Sequence, residues 1–538
     1  MNRAEKRAQE KAQKQQEKAM LSTAAGCNQL AVRLMATEPN RSYELLTRAI
    51  TMEPSEDAFW VNYMDVLQRV KLSAAPAHIL QLLNKRLTEP SQIAIVFLNI
   101  GMFFLVLDKK IRDWTKLPEA EILNHPVKHE LLFNLLESHI IASPPLEHWL
   151  VRVRNALLLA ELDEEQQEQW KPFLKVLARL CFRNEYVFWQ SDEETVKLET
   201  LDLKNEWQFL LAACYSPVDR QDQLMREREL AASISPSDAI TDEVSQKVKA
   251  QYEENPYPRW EKIQLPKARP VADELQRVMP LQPSAVFAGI TNPPQVLIAG
   301  CGTGQHAVQV ASRYKDSQVL GVDLSAASLG YAKSKIEEYG FADKVELKQA
   351  DILSLDSLNQ TFDIIESAGV LHHMEDPIAG WKVLKSLLKP EGVMKIALYS
   401  DPARQFVVQA REWIAQNGYE STPQGIRQCR RDIMLSPGVA QWNALVRRSD
   451  FYSMSDCRDL IFHVQEHRYT IPKLEEILDE LGFEFLGFEH DNNAREKLYA
   501  QHYPHDRKQT HLNNWHQLEK KDFNMFAGMY QMWMRLKP

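Results

Sequence analysis

A short glycine-rich segment is the part of this 538-residue sequence best suited to bind a ligand. An apolar stretch, Gln295–Gly300, runs straight into Gly300-Cys301-Gly302-Thr303-Gly304, and a helical pattern follows. Glycines in such a place let a ligand lie against the backbone at the N-terminus of a helix. A second apolar stretch, Gln318–Val322, ends at Asp323, 19 residues after the last of these glycines. A carboxylate at about that spacing binds ribose hydroxyls, so the unit predicts a nucleotide-type ligand.

A second segment carries two histidines and a glutamate. His463, Glu466 and His467 spell His-x-x-Glu-His, a zinc-binding pattern of one class of metallopeptidase. No third ligand is evident in the sequence, and the glycine unit already indicates another chemistry, so we predict no metal. On a helix the two histidines would share a face. They would then be a pair on a helix surface or part of the wall of an active site.

The motifs that follow the glycine loop resemble, in order, those of class I S-adenosylmethionine (SAM)-dependent methyltransferases. The loop is Gly-x-Gly-x-Gly and has no Walker lysine, and three more strand patterns follow it: Val345–Ala350, Phe362–Ser367 and Val393–Tyr399. The resemblance covers about residues 290–400 closely. It implies a Rossmann-like α/β sheet of seven strands, with SAM as the cofactor. One departure is Ile298, where many relatives carry an acid that contacts the methionine amine of SAM.

Beyond residue 400 the resemblance continues in a narrower group. Phe483–Gly487 is expected to be the sixth strand and Met529–Leu536 the seventh, which is antiparallel in this family. Asp401–Phe462 is too long for a simple crossover and is expected to form a helical insertion beside the substrate mouth. The segment around His463 resembles one in bacterial methyltransferases with a helical-repeat half and in bacterial surface-protein lysine methyltransferases.

The resemblance also assigns the cofactor site residue by residue. In the family an acid at the position of Asp351 receives the adenine amino group, and an apolar residue at the position of Ile352 packs on the ring. The expected SAM-binding residues are Gly300, Gly302, Gly304, Asp323, Leu324, Asp351, Ile352 and Ser367.

Methyl transfer from a sulfonium is an in-line displacement, so alignment of the two reactants supplies most of the catalysis. A general base is needed only when the acceptor arrives protonated, as a lysine amine would. The candidates for this base are His372, His373, His463 and Glu366. We assign catalysis to His372, His463 and Glu366, and expect His373 and His467 to face the substrate. A histidine after the fourth strand can also do no more than hold its loop.

An aromatic segment with two prolines lies upstream of the first strand. Tyr252–Trp260 reads Tyr-Glu-Glu-Asn-Pro-Tyr-Pro-Arg-Trp, and its prolines predict an extended conformation. It resembles the linker of bacterial methyltransferases whose N-terminal half is built of helical repeats. Either it is a strap that packs two domains together, or Tyr257 and Arg259 line the SAM or substrate pocket, and the two can both be true.

Glycine usage divides the chain that must position these residues. Residues 1–288 contain two glycines and residues 289–538 contain sixteen, and the glycine-poor half carries apolar residues at helical spacing. Two Glu-Pro-Ser triplets lie 36 residues apart, close to the period of a tetratricopeptide array, although only Thr51–Leu67 fits that pattern. The predicted organisation is a charged arm at 1–21, a helical-hairpin domain at 22–245, a linker at 246–290, a SAM-binding core at 291–400, a helical insertion at 401–468 and the end of the sheet at 469–538.

Composition limits the classes of function. A net charge of −9 disfavours a nucleic-acid partner, and no apolar run is long enough to span a membrane. The charged N-terminus lacks the apolar core of a secretory signal, and six scattered cysteines without a Cys-x-x-Cys pair fit a reducing cytoplasm.

The expected function is therefore methyl transfer to a protein, with lysine as the first candidate, while the helical half holds the polypeptide or forms a homo-oligomer. The alternatives are a glycan, lipid or small-metabolite acceptor, and an inactive SAM-binding scaffold.

Overall fold

The computed structural model describes residues 17–89, 91, 93–234, 240–436, 440–489 and 494–537. The chain divides into two compact units, Met1–Val218 and Asp219–Pro538. The predicted architecture, an all-α region followed by a seven-stranded α/β domain, is confirmed.

The first unit is built of helices throughout its described residues. They are α1 Ala24–Leu34, α2 Pro39–Met52, α3 Asp57–Leu67, α4 Ala77–Thr88, α5 Ala94–Leu107, α6 Lys109–Trp114, α7 Glu130–Ser138, α8 Pro144–Leu159, α9 Glu164–Arg183, α10 Asp192–Leu198 and α11 Glu206–Ala213.

Apolar faces at helical spacing hold this first unit together. In α3 the side chains of Trp60 and Tyr63 are fully buried, and their rings meet Phe97 and Phe104 of α5 edge to face. Such rings bury large apolar areas, and the edge-to-face geometry adds a favourable electrostatic contact. The tetratricopeptide character of the unit stays a prediction.

The second unit contains a sheet of seven strands in the order β3-β2-β1-β4-β5-β7-β6. Only β7 is antiparallel to its neighbours. The strands are β1 Gln295–Ala299, β2 Gln318–Asp323, β3 Val345–Gln349, β4 Phe362–Ala368, β5 Leu388–Leu398, β6 Phe483–Phe488 and β7 Tyr530–Leu536.

The described residues of the second unit also form helices. They are α12 Gln221–Ala232, α13 Glu243–Glu254, α14 Val271–Val278, α15 Gln305–Arg313, α16 Ala326–Glu338, α17 Pro377–Ser386, α18 Gln405–Asn417, α19 Pro423–Leu435, α20 Ala440–Val446, α21 Met454–Phe462, α22 Ile471–Leu481, α23 Ala494–His502 and α24 Leu512–Glu519.

Alternation along the strands separates two apolar cores. In β1, Leu297 and Ala299 join the core formed with α17, α22 and α24, whereas Val296 and Ile298 join the core formed with α14, α15 and α16. Successive side chains of a strand point to opposite faces, so a strand buried on both faces must be apolar at every position. This is why β1 could be recognised from its sequence.

The boundary between the units differs from the prediction. The predicted helical domain ended at residue 245, but α12 and α13 belong to the second unit. Helix α12 packs on α16 so closely that a Cβ atom on Gly330 would lie 2.4 Å from the Glu227 carbonyl oxygen. Helix content alone could not assign α12 to a unit, because the assignment depends on what the helix packs against.

In the part of the chain that the structure describes, no helix combines the length and the apolar character needed to cross a bilayer.

Candidate active site

The glycine loop forms a tight path between β1 and α15. Gly300 and Gly302 have φ values of +80° and +51°, in the left-handed region that side chains other than glycine rarely adopt. A Cβ atom on Gly302 would lie 2.7 Å from the Tyr257 carbonyl oxygen. Because these glycines have no side chain, the backbone of the loop can be approached closely by other groups.

Asp323 stands at the end of β2 and reaches back to this loop. Its Oδ2 accepts a hydrogen bond from the Gly302 amide at 2.8 Å, and its Oδ1 accepts one from the Ser325 amide at 3.0 Å. Burial raises the pKa of the Asp323 carboxyl above its usual value, although these amide bonds oppose the shift. The carboxylate is thus fixed in place, with further lone pairs available to a ligand hydroxyl.

A cavity of about 430 Å³ opens beside the loop, which is within the size range of small-molecule sites. The part of its wall at the carboxyl ends of β1 to β4 consists of Gly300, Cys301, Gly302, Asp323, Leu324, Asp351, Ile352, Ala368 and Val370. A cradle of backbone flanked by two acids and an isoleucine fits the ribose, the adenine amino group and the adenine ring of SAM.

Two of the predicted cofactor residues do not line this cavity. Gly304 begins α15, where a Cβ atom would lie 2.7 Å from the Ala332 Cβ, so its role is to pack α15 against α16. Ser367 is buried in β4, and its hydroxyl donates to the Ala299 carbonyl at 3.0 Å. Both residues support the site from behind, because Gly304 contacts α16 and Ser367 contacts β1.

Glu366 is not placed as the predicted catalytic base. It is fully buried in β4, outside the cavity wall, and pairs in register with Ile298 of β1. Burial would raise its pKa, but a 2.8 Å hydrogen bond from His306 and the charges of His306, Lys395 and Arg313 outweigh burial and lower the pKa to about 2. Glu366 is therefore an ionised carboxylate that binds His306. Position 298 of β1 carries no acid, and Glu366 on the adjacent strand β4 lies opposite it.

The aromatic strap, Tyr252–Trp260, packs directly on the glycine loop. The Thr303 hydroxyl donates to the Pro258 carbonyl, and the Trp260 indole donates to the Thr303 carbonyl at 3.1 Å. Tyr252 to Glu254 are the last turn of α13, so the predicted extended conformation is wrong for this part of the strap, and Asn255 to Trp260 form neither helix nor strand. The helix can continue this far because Pro256 restricts only the residue before it.

The strap also supplies a helix cap. Glu253 accepts hydrogen bonds from the amides of Ala326 and Ala327 at 2.7 and 3.1 Å, at the start of α16. A carboxylate there satisfies otherwise unpaired donors and complements the helix dipole. The strap therefore joins the glycine loop and α16, two elements of the same unit.

Of the two strap residues predicted to line a pocket, only one does. Tyr257 lies in the cavity wall. Arg259 lies outside it, 3.5 Å from Glu227 in an ion pair and 4.8 Å above the Tyr331 ring. The guanidinium thus contributes to the packing of α12 on α16 and does not face a ligand.

The far end of the cavity is aromatic and acidic. Tyr252, Tyr257, Tyr399, His373 and Asp459 belong to its wall. The Tyr252 hydroxyl donates to Asp459 at 2.7 Å, and the rings of Tyr252 and Tyr257 stack with centroids 6.1 Å apart. Burial raises the pKa of the Asp459 carboxyl. Asp459 comes from α21, so the predicted insertion does contribute to the site.

The predicted histidine pair does not share a helix face. Helix α21 ends at Phe462, and His463 already has an extended backbone. Glu466 binds Arg404 at 2.5 Å, and the His467 ring lies 3.1 Å from the Met374 carbonyl. Neither histidine lies in the cavity wall. The pattern suggested a helix because its spacing matches one turn, but the helix ends at Phe462.

His372 is also placed away from the predicted catalytic position. It is fully buried behind the cavity wall, stacked on Tyr399 with ring centroids 3.9 Å apart. Neither of its ring nitrogens has a hydrogen-bond partner among the described residues. Burial, together with the neighbouring cationic groups, holds its pKa well below the usual value.

Sequence reasoning missed three residues of the aromatic end: Tyr252, Tyr399 and Asp459. Tyr399 follows a parallel strand directly, and such positions lie at the edge where α/β domains bind ligands, so this signal was present. Asp459 had no such signal, since its approach depends on how the insertion folds back over the sheet.

Comparison with known proteins gives one family match. Residues 296–392 match the family model described as a methyltransferase domain. An uncharacterised protein of Synechococcus is 31% identical over 207 residues, which are 36% of this chain and 48% of that protein. The phosphoethanolamine N-methyltransferase 1 of Arabidopsis thaliana is 29% identical over 126 residues, 23% of this chain and 25% of that enzyme. The chain thus spans half or less of the length of these relatives.

Among solved structures, PKMT2 from Rickettsia typhi in complex with AdoHcy aligns with a TM-score of 0.38 and 19% identity. The alignment covers 52% of this chain and 55% of that one. Similarity at this level transfers neither a site nor an acceptor.

Proposed function

The chain carries a class I SAM-dependent methyltransferase domain, and from that premise we propose that it transfers a methyl group to an amine, in first place a lysine side chain of a protein. In this proposal Asp323 accepts the ribose hydroxyls, Asp351 receives the adenine amino group and Ile352 packs on the adenine ring. SAM supplies an electrophilic methyl group on a sulfonium. The protein has to align an acceptor with it and exclude water.

The observation that carries the amine assignment is the aromatic, acidic end of the cavity. Asp459 is 3% exposed and lies beside three tyrosines in the same wall. A buried carboxylate is costly unless a cation or several hydrogen-bond donors face it, and aromatic rings favour a cation nearby. An ammonium group meets both conditions. A sterol carbon or a neutral hydroxyl would add no positive charge beside Asp459, which the Tyr252 hydroxyl binds.

The helical first unit supports a macromolecular acceptor. Stacked helices form extended surfaces of the kind that bind polypeptides. A small amine is the alternative, because one relative is by its name a phosphoethanolamine N-methyltransferase. A glycan or lipid acceptor is less well matched to Asp459, and an inert scaffold would have no use for it.

The test is to incubate the protein with methyl-labelled SAM and a fractionated lysate of its source organism. We expect label in protein that survives lipid extraction and appears as methyl-lysine after acid hydrolysis. Asp323→Ala should abolish the label, whereas Asp356→Ala, at an exposed position, should leave it unchanged. Label confined to the lipid, polysaccharide or small-molecule fraction would overturn the protein assignment.

A further inference from the structure

We propose that His373 is the general base that takes a proton from the acceptor amine, and that the Gln465 backbone fixes the histidine tautomers this requires. The inference rests on the proposed amine acceptor. It concerns a residue that was one of the four candidate bases in the sequence and was assigned there to the substrate contacts.

The His373 tautomer follows from its hydrogen bond. Its Nδ1 lies 2.7 Å from the Gln465 carbonyl oxygen, which can only accept. Nδ1 therefore carries the proton, and in the neutral ring Nε2 keeps its lone pair. His373 lies in the cavity wall, and Nε2 has no hydrogen-bond partner among the described residues. A backbone carbonyl that accepts from Nδ1 commonly fixes the tautomer of a basic histidine in this way.

Gln465 also fixes the tautomer of His463, but with the proton on the other ring nitrogen. The Gln465 amide donates to His463 Nδ1 at 3.1 Å, so the proton of neutral His463 sits on Nε2. That nitrogen lies 3.2 Å from the Tyr252 hydroxyl, which in turn donates to Asp459 at 2.7 Å. In the hydrogen-bonded series His463, Tyr252 and Asp459, each of the atoms just named has a hydrogen-bond partner. This series orients the carboxylate and the tyrosine hydroxyl beside His373.

His373 is kept neutral in this setting. Burial lowers its pKa, opposed by the charges of Asp459 and Glu466 and by the Gln465 hydrogen bond, while Arg404 adds to the lowering. The other titratable rings that face it are His463, stacked at 3.6 Å, His372 at 4.3 Å and Tyr399 at 6.1 Å between ring centroids. A neutral imidazole with a free lone pair is the form that a base needs at physiological pH.

The other candidates lack an available lone pair or access to the cavity. His372 and Glu366 lie outside the cavity wall, and both ring nitrogens of His463 are used. His373, Asp459 and His463 do place one potential ligand atom each within 4.8 Å of one another. Because His463 has no nitrogen to spare, this cluster offers a metal ion at most two free ligands, too few for a structural or catalytic zinc site.

The proposed step transfers one proton and one methyl group. The ammonium of the acceptor gives one proton to His373 Nε2, which leaves a neutral amine and an imidazolium. The amine lone pair forms the N–C bond to the methyl carbon as the C–S bond breaks, and the electrons of that bond remain on sulfur. The product is a methylated ammonium ion with neutral S-adenosylhomocysteine, and His373 returns its proton to solvent.

The first test compares the pH profile of His373→Gln with that of the wild type, with poly-L-lysine as the acceptor. We expect the wild-type rate to be flat above the lowered pKa of His373 and to fall below it. The variant should lose about 100-fold in kcat at neutral pH and should gain rate steadily up to alkaline pH, because only free amine then reacts. His502→Gln, at an exposed site on α23, should match the wild type.

Calorimetry should show that His373→Gln binds SAM within threefold of the wild-type affinity. A merely structural role for His373 would not predict this affinity together with an altered pH profile. An active variant with an unchanged profile would overturn the base assignment alone. A wild type that labels neither poly-L-lysine nor any lysate protein would instead overturn the proposed amine function.

The second test does not depend on the acceptor. Nitrogen-15 spectra of the histidines in the complex with S-adenosylhomocysteine, with His373 assigned by its absence in His373→Gln, should show an unprotonated Nε2 and a protonated Nδ1 above its pKa. A proton on Nε2 would contradict the assignment. Asp459→Asn should move the acid limb of the rate profile to lower pH, because it removes the carboxylate that raises the His373 pKa.

Discussion

A substitution at Asp323 tests cofactor binding separately from the rest of the site. Asp323→Ala removes the acceptor of the ribose hydroxyls and also frees the Gly302 amide. Loss of charge-assisted hydrogen bonds should weaken SAM binding by about 1.5–3 kcal/mol, or roughly 10- to 150-fold. Calorimetry with SAM measures this directly, with Asp356→Ala as the matched control. An unchanged affinity would show that the carboxylate does not contact the cofactor.

The raised pKa of Asp323 also gives the sign of a pH effect. Only the ionised carboxylate accepts charge-assisted hydrogen bonds at both oxygens, and the pKa of Asp323 lies above the ordinary 3.8 because of burial. SAM affinity should therefore be constant above this raised pKa and should fall as the pH drops through it. The decline should begin at a higher pH than that of an exposed aspartate.

At the scale of the elements, the pairing of β1 with β4 places Glu366 beside Ile298. The Glu366 pKa of about 2 is depressed from 4.5, so the stability it confers is present above pH 4.5 and is lost as the pH falls toward 2. That shift corresponds to about 3 kcal/mol at most. We expect Glu366→Gln to lower the free energy of unfolding at neutral pH and to flatten its acid dependence. Denaturant titrations at pH 7 and pH 3 measure both, and Glu346→Gln, an exposed position on β3, should change neither.

Helices α12 and α16 supply a second test at this scale. Gly→Ala in an exposed helix normally stabilises it by about 1 kcal/mol. Gly330→Ala should instead lower the melting temperature, because the new Cβ would lie 2.4 Å from a backbone oxygen of α12 and 2.7 Å from the Ala231 Cβ. Ser334→Ala, in the same helix, is the control. A stabilised Gly330→Ala would mean that α12 does not lie against α16.

The elements also show what sequence alone could predict. Apolar runs, the glycine loop and the order of motifs predicted the strands and the cradle of the cofactor, because these features depend on residues close together in the chain. Glu366 opposite Ile298, and Asp459 beside Tyr252, depend on residues 68 and 207 positions apart. Such contacts follow from strand pairing and from the folding back of the insertion, and no local pattern encodes them.

At the scale of the whole molecule, the position of the unit boundary changes the design of a truncation. A chain beginning at Asp219 keeps α12 and α13 and should bind SAM within threefold of the full-length affinity. A chain beginning at Gln246 loses α12, uncovers the face of α16 around Gly330 and should be markedly less stable. Melting curves and SAM titrations of the two chains measure the difference. Equal stability would restore the boundary near residue 245.

The same pair of chains tests the division of labour between the units. If the first unit holds the acceptor, the chain beginning at Asp219 should still methylate a short lysine peptide but should lose the protein labelled in the lysate. Undiminished labelling of that protein would assign the first unit another role, such as self-association.

The cap that Glu253 provides for α16 affects which ligands the site excludes. The amides at the start of a helix are the groups that hold phosphate in many nucleotide-binding proteins, but here a carboxylate of the chain itself occupies them. Asp323 lies nearby, and the charge of Glu253 adds to burial in raising the pKa of the Asp323 carboxyl, so this end of the cradle disfavours anions. Cofactors with a phosphorylated ribose, and the nucleoside triphosphates that a cell holds at high concentration, are thereby kept from competing for the pocket, while a positively charged sulfonium ligand suffers no such penalty.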